Sequence, residues 1–176
     1  MLAHPHTLAQ FNAWANARLH EACGALSPDQ IIEDRAAFFS SILGTLNHIL
    51  LVDILYRERL EGVSSSFKSL DERLHDNLPD LSAHQREEDQ RWLTLTADIC
   101  ADGLEEPIGF WTLMDDPDRW EVPKHIYFTN LCQHQIHHRG QTHNMVSQAG
   151  VEPPPIGYIE FRVDTDGSFV TTPGTD

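Results

Sequence analysis

The segment 42–60 constrains the fold of this chain more than any other. Read as a helix, it sets Ile42, Leu43, Leu46, Ile49, Leu50, Leu51, Val52, Ile54, Leu55 and Leu60 on most sides of the axis and leaves no broad polar face. Such a helix cannot lie on a surface and has to be central, enclosed by other elements. It begins around Ser40, and Gly62 is placed to end it in the left-handed conformation. His48 sits within the most apolar part, where a buried imidazole needs a polar partner from elsewhere in the chain.

The run His134-Gln135-Ile136-His137-His138-Arg139-Gly140-Gln141 offers that partner. At about 100° per residue, His134 and His138 lie about 40° and one turn apart on a helix, a separation at which two imidazoles can grip one metal ion. A divalent cation needs at least three protein ligands to stay bound, and His48 is the best candidate for the third. Neutral imidazole favours zinc, nickel, iron(II) or copper over magnesium or calcium, so zinc or nickel is expected. Spacing alone also fits a solvated histidine stripe or a hydrogen-bonded core histidine. His137 lies about 60° behind His134 and is left off the ligand list. Gln141 and Arg139 could orient a bound water or an anionic group, while Arg139 reads equally well as half of a surface ion pair. Asp53, about 140° round from His48, is expected to make a structural hydrogen bond between helices. His4, His6, His20, His75, His84, His125 and His143 have no partner at useful spacing and read as surface or locally bonded residues.

Helical periodicity also covers residues 7–26, through Leu8, Phe11, Trp14, Leu19, Ala22 and Leu26. Ser27-Pro28-Asp29-Gln30 opens a short helical turn with a capping box. Residues 63–80, rich in serine and including Pro79, read as a long connection. Ser82 and Gln85 form a second capping box ahead of a helix reaching Cys100, its front half charged and exposed and Gly103 its stop. Two β-prone runs, 108–114 and 119–122, flank Asp115-Asp116-Pro117-Asp118 and predict a hairpin. A last long helix starts after Pro123 and runs to Ala149, where Gly150 and Pro153-Pro154-Pro155 stop it. Residues 156–161 should fold back onto the domain, and 171–176 should fray. The fold class is therefore all-α, a four-helix bundle with a small β-hairpin before the last long helix. Its boundaries are one domain over residues 1–165 and a flexible C-terminal tail over 166–176.

Length and charge narrow the function. The 176 residues fit one domain, and a net charge of −15 repels phosphate backbones and anionic membranes, so no nucleic acid and no membrane is expected as a partner. No stretch approaches the roughly 20 apolar residues needed to span a bilayer, and no secretory leader is apparent. Cys23, Cys100 and Cys132 are too widely spaced for a disulfide framework or a cysteine zinc site, which fits a reducing, cytoplasmic location. The zinc-peptidase pattern HExxH loses its base, because Gln135 stands at the glutamate position. No nucleophile elbow, P-loop or dinucleotide fingerprint is present.

Three segments together resemble the DinB-like (YfiT-like) metalloenzymes: Phe11-Asn12-Ala13-Trp14-Ala15-Asn16, Gly44-Thr45-Leu46-Asn47-His48 with Asp53, and residues 134–141, in that order. The resemblance spans roughly residues 7–150 and departs from the family's pattern in the tail Pro153-Pro154-Pro155-Ile156-Gly157-Tyr158. It implies a four-helix bundle and a three-histidine site of His48, His134 and His138, filled by nickel or zinc with water completing the shell, in a homodimer. Related bundles include thiol-dependent S-transferases, so the resemblance implies a metal-dependent enzyme acting with a low-molecular-weight thiol or another small-molecule substrate. A metal-dependent hydrolase is a further enzymatic option. The alternative is a non-catalytic metal-binding module for stress response or ligand binding, and a plain bundle without an ion is the third reading.

Overall fold

A computed structural model describes residues 4–113 and 118–167. The elements are α1 (Pro5–Cys23), α2 (Pro28–Ile32), α3 (Ile42–Leu60), α4 (Leu78–Thr96), a short 3-10 helix (Ala101–Glu105), β1 (Pro107–Trp111), β2 (Arg119–Pro123), α5 (Lys124–Gln148) and α6 (Tyr158–Thr165). Mostly helical, the chain adds one two-stranded antiparallel sheet. The central position expected for α3 follows from its composition: every residue from Ile42 to Leu55 except Gly44 is buried. The helix packs on α4 and α5, and α1 packs on the same two helices.

Several ends follow local signals. Ser27 and Gln30 close the capping box at α2. Gly62 and Gly150 take φ of +70° and +87° just beyond α3 and α5, a conformation glycine adopts without Cβ strain. The hairpin pairs Pro107 with Pro123 and Trp111 with Arg119, as the two β-prone runs predict, and its strands pack against α3 and α5. The expected turn residues 115–117 and the expected frayed end 171–176 lie outside the described residues. Residues 156–161 do fold back: α6 buries Phe161 against Phe11 and Ala15 of α1.

The fourth helical segment departs from the sequence reading. It starts one turn earlier, where the Asn77 side chain accepts the Asp80 backbone N–H at 2.9 Å and Pro79 occupies the first turn. Pro79 thus opens a helix and does not belong to the connection its sequence context predicts, since a missing N–H is harmless at that position. Ser82 and Gln85 lie inside α4 and do not cap it. The Ser82 hydroxyl is 2.7 Å from His20 Nδ1, and the Gln85 amide donates to Asp53 and Asp89. The helix ends at Thr96, short of Cys100, with Asp98 just beyond an end where the helix dipole disfavours negative charge. Its front half is not uniformly exposed either, because Gln85, Glu88 and Asp89 are all buried.

Among the described residues no helix is long and apolar enough to cross a membrane. Cys23, Cys100 and Cys132 are all free thiols.

Candidate metal centre

Two helices and two loops converge on His48. From α5, one turn apart, His134 and His138 point at it: the three ring centroids are 4.9, 4.5 and 4.4 Å apart, and one nitrogen from each ring lies within 4.8 Å of the others. His48 Nε2 and His134 Nε2 are 3.0 Å apart. The structure therefore brings together all three histidines expected from sequence, in a cluster that could hold a metal ion.

Each ring is fixed from behind. His48 Nδ1 donates to the Leu70 carbonyl at 2.8 Å, which leaves Nε2 as the lone-pair nitrogen facing the cluster. Asn47 anchors the loop that supplies Leu70, accepting the Leu74 and His75 N–H groups at 2.8 and 2.9 Å and donating to the His75 carbonyl at 3.0 Å. His138 Nδ1 donates to Gln141 Oε1 at 2.9 Å, and the Gln141 amide donates in turn to His137 Nε2 at 3.2 Å. His137 thus supports Gln141, which supports His138. His134 Nδ1 is buried and has no hydrogen-bond partner among the described residues.

Phe39 covers the cluster, its ring stacked on His48 at 4.0 Å with its edge toward His138 at 5.6 Å. Its turn is held tightly, with Ala36 and Ser40 both at positive φ and a bridge between Ala37 and Ser40. A Cβ at Gly44 would stand 2.1 Å from the Phe39 carbonyl, so this glycine is needed for close approach of the turn to α3. Sequence reasoning missed Phe39 and Leu70. For Phe39 the available signal was a glycine in the first turn of an apolar helix, which often marks a close backbone contact.

Burial pushes the His48 ring down to about 4 and His134 to about 3, and it lowers His138 as well. All three are therefore neutral near pH 7, the form that donates a lone pair to a metal. The cluster opens into a cleft of about 520 Å³ walled by Phe38, Phe39, Ser69, Asp71, His137 and Gln141.

Asp53 does bond helix to helix, accepting from Gln135 at 2.6 Å, Gln85 at 3.0 Å and Asn12 at 3.3 Å. Arg139 is not in a surface ion pair: it is 2% exposed and donates to Asn12 and, at 3.1 Å, to Asn16. Asn16 passes the network on to Asp89 at 3.0 Å. Burial, with the neighbouring Asp89 charge, pushes Asp53 up to about 7, and burial pushes Asp89 up to about 6. Among the other histidines, His75 and His84 turn out to be partners, with Nε2 and Nδ1 2.9 Å apart, a pairing invisible from spacing because they sit on a loop and a helix. His143 bonds nearby, to the Pro154 carbonyl, whereas His6 and the buried His20 reach across to Thr96 and Ser82 on α4, against the surface or locally bonded reading.

The fold and the cluster define a mostly helical protein with a histidine triad suited to a divalent cation. The chain belongs to the DinB family, whose sequence profile matches residues 1–167. In fold it is similar to a DinB-like protein from Bacillus cereus ATCC 10987, at 16% identity and a TM-score of 0.61, over 81% of this chain and 90% of that one. No curated protein matches the chain.

Proposed function

We propose that His48, His134 and His138 bind nickel or zinc and that the protein is a metal-dependent enzyme of the thiol S-transferase type. One observation carries this reading: three neutral imidazoles, two of them locked by hydrogen bonds on their outer nitrogens, gather at the floor of an open cleft. The donor set fits the group. His48 and His134 meet Nε2 to Nε2 at 3.0 Å, a pairing in which one ring holds the shared proton, and the buried Nδ1 of His134, without a hydrogen-bond partner among the described residues, can take that proton when an ion takes the Nε2 lone pairs. A bound divalent ion would supply Lewis acidity and lower the pKa of a thiol or water beside it.

The chain's own residues do the rest. Leu70 and Gln141 orient two of the rings, and Phe39 keeps water off one side of His48. Ser69 and Asp71 stand at the cleft wall, where a polar thiol would enter. A peptidase-like hydrolase is disfavoured because the Gln135 amide is buried and bonded to Asp53 and the Ile49 carbonyl. A non-catalytic metal-binding module is the second reading, favoured by the absence of a carboxylate in contact with the triad among the described residues.

The four long helices α1, α3, α4 and α5 are read as a four-helix bundle, residues 1–165 as its single domain and the remainder as a flexible tail. A cytoplasmic homodimer is the proposed working form, checked by light scattering in solution. Elemental analysis of protein purified without an affinity tag should find about one nickel or zinc per chain. A panel of low-molecular-weight thiols against epoxides and alkyl halides should then show metal-dependent turnover. Stoichiometric metal without turnover would transfer support to the non-catalytic reading, and no metal would defeat both.

A further inference from the structure

A second cleft, of about 350 Å³, lies between the hairpin and the α3–α5 pair. Val52, Leu55 and Tyr127 form its helical wall, and Phe110, Trp120 and Val122 form the hairpin wall. His134 and Leu70 line this cleft as well as the one over the histidine cluster, so a molecule seated under the hairpin touches one member of the triad, His134, at one end. The hairpin cleft is ring-rich and apolar, whereas the other sets Ser69, Asp71, His137 and Gln141 beside Phe38 and Phe39.

Most of its polar groups bond within the protein. The Arg59 guanidinium lies 4.4 Å from the Phe110 ring centroid and donates to the Trp111 carbonyl at 2.8 Å. The Tyr127 hydroxyl donates to the Tyr56 carbonyl at 3.1 Å, and the Tyr56 hydroxyl accepts from Asn130. Arg59 is the cation in this lining, held against the Phe110 ring and the Trp111 carbonyl, and the net charge of −15 repels an anionic ligand at longer range. The volume falls at the small end of ligand pockets, roughly 300–1,000 Å³, which suits one or two fused rings.

The geometry points to the hairpin cleft as the binding site for a neutral, ring-bearing small molecule, with its reacting end directed at His134. This deepens the function proposed above and rests on it for what happens at the triad: the apolar electrophile enters under the hairpin and the polar thiol through the opposite cleft. Trp120, half-exposed at the rim, and Val122 then decide which electrophiles are accepted.

The test uses 1-naphthylmethanol as a neutral probe and 1-naphthalenesulfonate as its anionic counterpart, titrated into the full chain both as purified and after metal removal by chelator. Affinity is read by calorimetric titration in every variant, and the place of binding by nitrogen–proton correlation NMR at the tryptophan indoles. The neutral probe should shift the Trp120 indole in both forms and bind at least tenfold more tightly than the sulfonate. Trp120→Ala should weaken it at least fivefold, while Phe38→Ala, in the other cleft, should leave it unchanged. The inference is overturned if the sulfonate binds as tightly, if Phe38→Ala and not Trp120→Ala weakens binding, or if the Trp120 signal stays still at saturation. Because the chelated protein gives this readout without a metal, failure of the triad to bind nickel or zinc would overturn the proposed function and leave the ring site standing.

Discussion

Helices α3 and α5 each deliver polar side chains to two buried places, and the two differ in what faces what. At one, Asp53 from α3 meets Gln135 and, through Asn12, Arg139 from α5: carboxylate faces amide N–H and guanidinium, with Asn16, Gln85 and Asp89 extending the same pairing. At the other, His48 from α3 meets His134 and His138, three groups of one kind turned toward a common point. Complementary groups bond one another and hold helices in register, although Gln85 Oε1, Gln135 Oε1 and Arg139 Nη2 keep no partner among the described residues. Three imidazoles gathered together could hold a cation that the chain itself does not contain. The first place is thus structural and the second a candidate site, although they lie only five residues apart along α3.

That contrast breaks most sharply on Arg139. Arg139→Met removes the cation near two buried carboxyls and should cost roughly 3–5 kcal/mol of stability in urea denaturation. Metal affinity measured on the protein that stays folded should change far less. An Arg139→Met protein as stable as the parent would show that the network is not what holds the helices together.

Alanine at His48, His134 or His138 should do the reverse. Calorimetric titration with zinc or nickel should lose at least the roughly 100-fold in affinity that removal of a mere supporting partner can cost, about 2.7 kcal/mol. The metal-free variants should unfold within about 2 kcal/mol of the parent. A stability loss equal to that of Arg139→Met would erase the distinction between the two regions.

Gln141→Ala, which frees His138 Nδ1 and leaves the triad intact, should lower metal affinity by roughly tenfold, about 1.4 kcal/mol. Unchanged affinity would mean that the His138 ring is held by packing alone.

Changes of pH act with opposite signs in the two regions. Folded-state values of about 4 for His48 and 3 for His134 lie below the ordinary 6.5. As pH falls below 6.5 the unfolded chain takes up protons first, so metal-free stability declines from there toward pH 4. Asp53 and Asp89, raised to about 7 and 6 from 3.8, act the other way: the unfolded chain loses protons first, and their contribution falls as pH rises from 3.8 to 7. Asp53→Asn should flatten the second slope and His134→Ala the first, in urea midpoints measured from pH 4 to 8. Metal should also stay bound at pH 6, where an ordinary histidine with pKa about 6.5 is mostly protonated.

The helices were legible wherever the signal was local. Apolar residues on most sides made α3 central, and turn-spaced histidines marked one face of α5. Glycines 62 and 150 ended their helices because a left-handed residue is set by the chain itself. Ser82 and Gln85 misled for the complementary reason: a capping box is a local pattern, and their side chains found better partners in His20, Asp53 and Asp89, 62, 32 and 4 residues away. Arg139 was equally ambiguous, since exposure or burial of a helical arginine depends on which helix covers it. Here that helix is α1, with Asn12 and Asn16.

What the sequence determined alone was the set of helical faces and which three imidazoles could meet, because periodicity and apolar context are properties of neighbouring residues. Tertiary structure alone decided that Leu70 and Gln141 would lock the rings, that Phe39 would lie on His48 and that a ring-lined cleft would end at His134. Apart from the Gln141 contact, these pairings join residues on separate elements, and only the packed chain fixes which hydrogen-bond donor meets which acceptor.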